Sequence, residues 1–173
     1  MHELILGGAR SGKSRLAERL AVESGLPVTY IATCQPRDQE MAERVARHSE
    51  RRPAEWGLVE EPLALAQVLR EQAAPGRCLL VDCLTLWLSN LLLSADSEHW
   101  LRERQQLFDC LPSLPGRLIM VSNETGLGVV PMGELSRRFV DESGWLHQQL
   151  AAHCDRVVVC IAGLPQTLKG EKV

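Results

Sequence analysis

The chain has 173 residues, 45% of them hydrophobic and 24% charged, which is enough apolar material for one compact domain spanning residues 1–173. A net charge of -3 and a pI near 6.0 supply no basic field for duplex nucleic acid, so nucleic acid is excluded as an expected partner. No stretch approaches the ~20 apolar residues of a membrane span, and Met1-His2-Glu3-Leu4 lacks the basic start and apolar run of a secretion signal, so the expected location is the cytoplasm.

Strand-like and helical runs alternate along the chain. Glu3 to Leu6 predicts a strand, and Lys13 to Ser24 a helix that stops at Gly25 with Pro27 beyond it. Val28 to Thr33 predicts the second strand. Gln39 to His48 predicts a helix ending before Pro53, and Pro62 to Gln72 one that opens with proline. Cys78 to Asp82 is the third strand, followed by helices over Leu84 to Leu93 and Glu98 to Cys110. Arg117 to Ser122 and Arg156 to Ile161 are the last two predicted strands, with a helix over Gly133 to His153 between them. Four of the five strands are rich in Val, Ile and Leu without alternation. Such runs belong to strands covered on both faces, and the expected class is α/β with a mostly parallel central sheet flanked by helices.

The segment Gly7-Gly8-Ala9-Arg10-Ser11-Gly12-Lys13-Ser14 matches the pattern GxxxxGK[ST] between a strand and a helix. Glycines let such a loop curl so that successive N–H groups point at phosphate oxygens, while the helix behind it presents its positive end. Lys13 is placed to reach the β and γ phosphates, Ser14 to put its hydroxyl on a magnesium ion, and Arg10 to add positive charge. Asp82 ends a neighbouring strand, where a phosphate-bound magnesium needs a carboxylate; the same residue would also serve as a helix cap before Leu84. The glycine-rich segment Asn123 to Met132 is a candidate active-site loop, and its Glu124 reads either as a base or as a solvated carboxylate.

His48 shares a helical stripe with Met41 and Val45 and is followed by Ser49, Glu50, Arg51, Arg52 and Pro53. Spacing alone is compatible with a packed residue. A neutral imidazole beside two guanidinium groups is also a competent nucleophile toward phosphorus. The six cysteines form no CxxC pair and read as buried thiols, and His2, His99 and His153 as surface or packing residues. The tryptophans Trp56, Trp87, Trp100 and Trp145 read as core or interface rather than as a ligand platform.

Taken in order, the phosphate loop, Tyr30-Ile31-Ala32-Thr33, His48 with Arg52-Pro53 and Trp56, Val81-Asp82-Cys83-Leu84-Thr85-Leu86-Trp87-Leu88 with Asn90, Val121-Ser122-Asn123-Glu124 and Gly163-Leu164-Pro165 resemble one family. It is the bifunctional adenosylcobinamide kinase and adenosylcobinamide-phosphate guanylyltransferase family of cobalamin assembly. The resemblance implies a RecA-like P-loop NTPase fold, assembled as a homotrimer. It implies phosphorylation of adenosylcobinamide by ATP or GTP, then transfer of GMP from GTP through a GMP-histidine intermediate, with Mg2+ present. Carried onto this sequence, the nucleophile is His48. The nucleotide contacts fall on Gly7, Gly8, Ala9, Arg10, Ser11, Gly12, Lys13, Ser14, Ile31, Ala32, Thr33, Ser49, Glu50, Arg51, Arg52, Glu60 and Asp82, with Ser14 and Asp82 on the metal. Glu60 is taken over its neighbour Glu61 because it stands four residues past Trp56. His147 is a departure, since the family usually has Asn there. A kinase without guanylyl transfer and a nucleotide-binding switch are the alternative readings.

Overall fold

The computed structural model describes residues 1–35, 39, 43 and 53–173. Seven strands form one sheet in the order β3-β2-β4-β5-β1-β6-β7. They are β1 His2–Gly7, β2 Val28–Ala32, β3 Gly57–Glu60, β4 Cys78–Asp82, β5 Arg117–Asn123, β6 Arg156–Ile161 and β7 Leu164–Lys169. All pairs are parallel except β6 with β7. The central strands read as continuous apolar runs because both faces are covered: Leu4 and Leu6 of β1 face one layer and Ile5 the other, and β4 and β5 divide in the same way.

The two layers differ in thickness. Helix α1, Lys13–Glu23, packs against one face, with Leu16, Ala17, Leu20 and Ala21 buried at i, i+1, i+4 and i+5. Helices α2 Leu65–Gln72, α3 Leu84–Leu92, α4 His99–Cys110 and α5 Glu134–His153 cover the other. Trp87 and Trp100 are fully buried there, their rings 5.4 Å apart in a T-shaped pair. Trp56 is partly covered and Trp145 is exposed, so the tryptophans divide between core and surface.

The two ends of the sheet do different work. At the N-terminal edge, the fully buried carboxylate of Glu3 accepts hydrogen bonds from Nε of Arg117 and Nε of Arg156, each at 2.6 Å, and also pairs with Nη2 of Arg156. This ties the first residues of β5 and β6 to β1. At the C-terminal edge Gly7 pairs with Asn123 and Cys160, Val121 with Asp82, and Asp82 with Ala32, so β1, β5 and β6 reach about two residues beyond the ends of β4 and β2. That edge is where ligands bind in open parallel sheets.

All five predicted strands coincide with their expected ends or lie within a residue of them, β1 extending one residue further at each end. Helix α2 starts at Leu65 rather than Pro62, because Glu61 Oε1 accepts the N–H groups of Leu63 and Ala64 at 2.8 and 2.9 Å and turns the chain before the helix begins. Strands β3 and β7 are additions. Gly57-Leu58-Val59-Glu60 is four residues long and largely exposed, and β7 contains Pro165, so neither carries the apolar signature of a central strand. The expected helix Gln39 to His48 lies mostly outside the described residues.

Candidate active site

The phosphate loop joins β1 to α1 through backbone that only particular residues tolerate. Gly12 is left-handed at φ 97° and Arg10 at φ 55°. A Cβ at Gly12 would lie 3.2 Å from Gly163 Cα. Gly163 belongs to the two-residue turn between β6 and β7, where Ala162 and Gly163 both have positive φ, and its N–H donates to Ser11 O at 2.9 Å. The hairpin thus braces the phosphate loop from outside, which accounts for Gly163-Leu164-Pro165 standing among the motif residues. Gly8, by contrast, has open space where a Cβ would be. Lys13 Nζ folds back to donate to Gly8 O at 3.1 Å, and Ser11 Oγ is buried without a hydrogen-bond partner among the described residues.

Asp82 ends β4, and its Oδ2 accepts the hydroxyl proton of Tyr30 at 3.2 Å. Sequence reasoning quoted Tyr30 within a motif but gave it no task. The Asp82–Cys83 peptide is cis. The backbone beyond it is held by Thr33, whose Oγ1 donates to Cys83 O at 2.7 Å and accepts from Cys83 N at 3.0 Å. Asn90 Nδ2 donates to Thr33 O at 2.8 Å and to Pro62 O at 3.1 Å. Thr33 and Ile31 are both 0% exposed, so in this state they build the wall beneath the site rather than its surface. Ala32 is partly exposed. Glu60 stands exposed at the end of β3, whereas the Glu61 carboxylate is engaged at the start of α2. His48, Ser49, Glu50, Arg51 and Arg52 lie outside the described residues.

Between the phosphate loop and Asp82 runs β5, and the residue after it is Glu124. Glu124 N donates to Gly7 O at 3.1 Å, and its Oε1 accepts from Gly126 N at 2.5 Å. Behind it, Asn123 N donates to Thr85 Oγ1 at 2.6 Å, Thr85 Oγ1 is 3.1 Å from Ser122 Oγ, and Ser122 Oγ is 2.7 Å from His147 Nε2. His147 is only 7% exposed, and burial pulls its pKa below 6.5 despite the nearby Glu124 carboxylate. No sequence pattern singled out this chain of groups, because its members come from α3, β5 and α5.

The expected active-site loop is irregular between β5 and α5, and it exposes Leu127, Val129, Val130 and Met132. A groove of about 370 Å³ lies beside it, lined by Leu92, Leu93, Pro131, Leu135 and Phe139 among others. None of the six cysteines is in a disulfide among the described residues, and five are buried; burial pushes Cys83 and Cys154 up to about 12. Among the described residues, no cluster of three or more His, Cys, Asp or Glu side chains offers a metal cage.

The family model described as cobinamide kinase / cobinamide phosphate guanyltransferase matches residues 3–168. The chain belongs to this family. The bifunctional adenosylcobalamin biosynthesis protein CobP of Pseudomonas aeruginosa is 67% identical over 171 residues, covering 99% of each chain. The corresponding CobU protein of Escherichia coli is 36% identical, covering 96% of this chain and 98% of its own. Among solved structures, the Pyrococcus horikoshii OT3 protein PH0250 superposes with a TM-score of 0.58 at 10% identity, covering 99% of this chain and 87% of its own. The RadB recombinase does so at 0.52 and 13%, covering 91% and 73%. At these identities the likeness concerns the fold, and the cobinamide kinase / guanyltransferase chain has the RecA-like P-loop architecture that its sequence implies.

Proposed function

We propose that this chain phosphorylates the hydroxyl of adenosylcobinamide with ATP or GTP, and then transfers GMP from GTP to the product, giving adenosylcobinamide-GDP and pyrophosphate. The observation that carries the reading is the C-terminal edge of the sheet. It puts the phosphate loop, Asp82 and Glu124 on one rim, in a chain that matches the family from end to end.

In this reading the backbone N–H groups of Gly7 to Gly12 and the N-terminus of α1 hold the nucleotide phosphates. The side chains of Arg10 and Lys13 neutralise them. Ser14 and Asp82 are hard oxygen donors, and two such groups completed by phosphate oxygens and water are the set magnesium prefers. That ion, when bound, supplies charge neutralisation on the transferring phosphate. Tyr30 orients the Asp82 carboxylate through its hydroxyl. Ile31, Ala32 and Thr33 shape the floor, and Glu60 with Ser49, Glu50, Arg51 and Arg52 completes the nucleotide contacts. His48 is the nucleophile of the second reaction: its imidazole attacks the α-phosphorus, pyrophosphate leaves, and the phosphate of adenosylcobinamide phosphate then displaces the imidazole.

The exposed apolar side chains of the loop after β5 support assembly of a homotrimer, in which a neighbouring subunit covers them. A cytoplasmic location fits these soluble substrates, and no helix among the described residues is long and apolar enough to cross a membrane.

The test is to incubate the protein with magnesium and GTP labelled at the α- or the γ-phosphate, and to repeat this with His48→Ala. Covalent label arising only from the α-position, labile to acid and absent in the variant, is the expected result. A wild type that binds GTP and phosphorylates adenosylcobinamide yet retains no label would leave the simpler kinase.

A further inference from the structure

Glu124 emerges from the one strand that lies between the phosphate loop and the strand of Asp82. Its backbone is fixed by the hydrogen bond to Gly7 O, and its carboxylate is gripped from one side by Gly126 N. What faces the other carboxylate oxygen is His147, with Nδ1 3.9 Å from Glu124 Oε2.

The buried hydroxyls behind His147 hold its far side. Thr85 Oγ1 accepts the Asn123 N–H, lies 3.1 Å from Ser122 Oγ and also reaches the Cys83 thiol. Ser122 Oγ lies 2.7 Å from His147 Nε2. With Nε2 engaged by this hydroxyl, the tautomer that carries its proton on Nδ1 presents a donor to Glu124. Burial keeps the imidazole neutral, as the lowered pKa indicates. A neutral donor orients a carboxylate while lowering its basicity less than a lysine or arginine in its place would.

From this geometry we infer that Glu124 is the proton acceptor for the phosphorylation step and that His147 is its positioning residue, locked by the Thr85–Ser122 relay. The inference rests on the kinase half of the proposed function. The substrate hydroxyl oxygen forms a bond to the γ-phosphorus, and the bond from that phosphorus to the β–γ bridging oxygen breaks. The electron pair leaves with the nucleoside diphosphate. The hydroxyl proton passes to Glu124 and from there to water. The 3.9 Å separation is that of a site without substrate, where such contacts are commonly long and tighten in the complex. The asparagine usual in the family at position 147 then has a physical reading. Asn Nδ2 occupies about the place of His Nδ1 and keeps the donor toward Glu124, while giving up the reach to Ser122.

Four variants test this through separate readouts of the two reactions. Glu124→Gln is expected to lower kcat for phosphorylation by about 10²-fold or more, while the KM for nucleotide and the yield of covalent GMP stay within about threefold. His147→Leu is expected to lower the same kcat by between about 10- and 100-fold. His147→Asn, which retains a donor at the Nδ1 place, recovers most of that loss. His147→Gln, whose amide reaches the Nε2 place instead, does not.

A Glu124→Gln enzyme that phosphorylates at the wild-type rate overturns the inference. So does rescue by glutamine and not by asparagine, which would make His147 a support for Ser122 alone, and so does equal loss of both reactions. If the position-147 variants do not yield soluble protein, Glu124→Gln decides alone. Failure of the proposed function looks different, because the wild type itself then phosphorylates nothing and the inference falls with it.

Discussion

Thr33 and Cys83 exchange two hydrogen bonds through a single hydroxyl, Oγ1 donating to Cys83 O at 2.7 Å and accepting from Cys83 N at 3.0 Å. This clamp joins the chain leaving β2 to the chain leaving β4, one residue beyond Asp82. Thr33→Val keeps the shape and removes the hydroxyl, which strands the buried Cys83 N–H and leaves Cys83 O only its bond from Trp87 N. We expect a loss of about 1–3 kcal/mol in urea unfolding, together with lower turnover because the Asp82 end is released. Thr33→Ser retains the hydroxyl and should recover both. A valine variant of undiminished stability would show that the clamp is incidental.

The phosphate loop separates two kinds of glycine. Gly12 is left-handed, and an added Cβ would press on Gly163 Cα at 3.2 Å, so Gly12→Ala should cost both stability, by about 1–3 kcal/mol, and nucleotide affinity. Gly8 has nothing within 4 Å of its Cβ position. Gly8→Ala should therefore unfold at the same urea concentration as the wild type while binding nucleotide more weakly, because a methyl group intrudes only where phosphate approaches. Paired unfolding and nucleotide titrations check both. Equal effects of the two substitutions on stability would contradict this division.

The parts of the molecule legible in the sequence are those whose signal is local. Cys78 to Asp82 is an apolar run closed by a carboxylate, and the structure begins and ends β4 on those residues. Gly7 to Ser14 announces its loop in part because Gly12 stands where φ is 97°. What stayed hidden depends on neighbours remote in the chain. Strand β7 is half of a hairpin whose turn leans on Ser11, a contact between residues 152 positions apart that no window reveals. The His147 relay is further removed, since Thr85, Ser122 and His147 meet only after α3, β5 and α5 have packed. His147 drew notice in the sequence only as a departure from the family's usual asparagine.

Glu3 is fully buried between two arginines, and Arg156 is itself only 8% exposed. Removing the carboxylate charge with Glu3→Gln leaves two guanidinium groups in a site built for an anion. The expected cost is about 3–5 kcal/mol, read as a lower urea midpoint with an unchanged slope. The triad lies at the edge of the sheet opposite the phosphate loop, so nucleotide affinity of the folded fraction should not move. A change in nucleotide affinity in fully folded protein would mean that the two edges are coupled.

Five of the six thiols are buried, and burial raises Cys78 to about 11 and Cys83 and Cys154 to about 12. Thiol reagents attack the thiolate, which these three present in vanishing amounts near pH 8. Titration of the native protein with a disulfide reagent should therefore consume about one equivalent rapidly, at the partly exposed Cys34, and all six in denaturant. Peptide mapping identifies the site. Rapid uptake at Cys83 would mean that the β4 end opens far more readily than its packing implies.

The buried imidazole of His147 ties stability to pH in a direction that can be worked out. Its folded pKa is lowered from 6.5, first by burial, with Glu124 opposing. Below 6.5 the unfolded chain therefore binds a proton that the folded chain resists, so the stabilisation is fully present above 6.5 and declines as pH falls toward the folded value. His2 is lowered by burial as well and adds a slope of the same sign, so the wild-type curve alone does not isolate His147. The comparison with His147→Asn does, because His2 is common to both. Urea midpoints measured from pH 7.5 down to 5.5 should fall more steeply for the wild type than for the asparagine variant. Parallel curves would mean that His147 charges as easily in the folded protein as out of it, and the neutral donor facing Glu124 would be lost with that result.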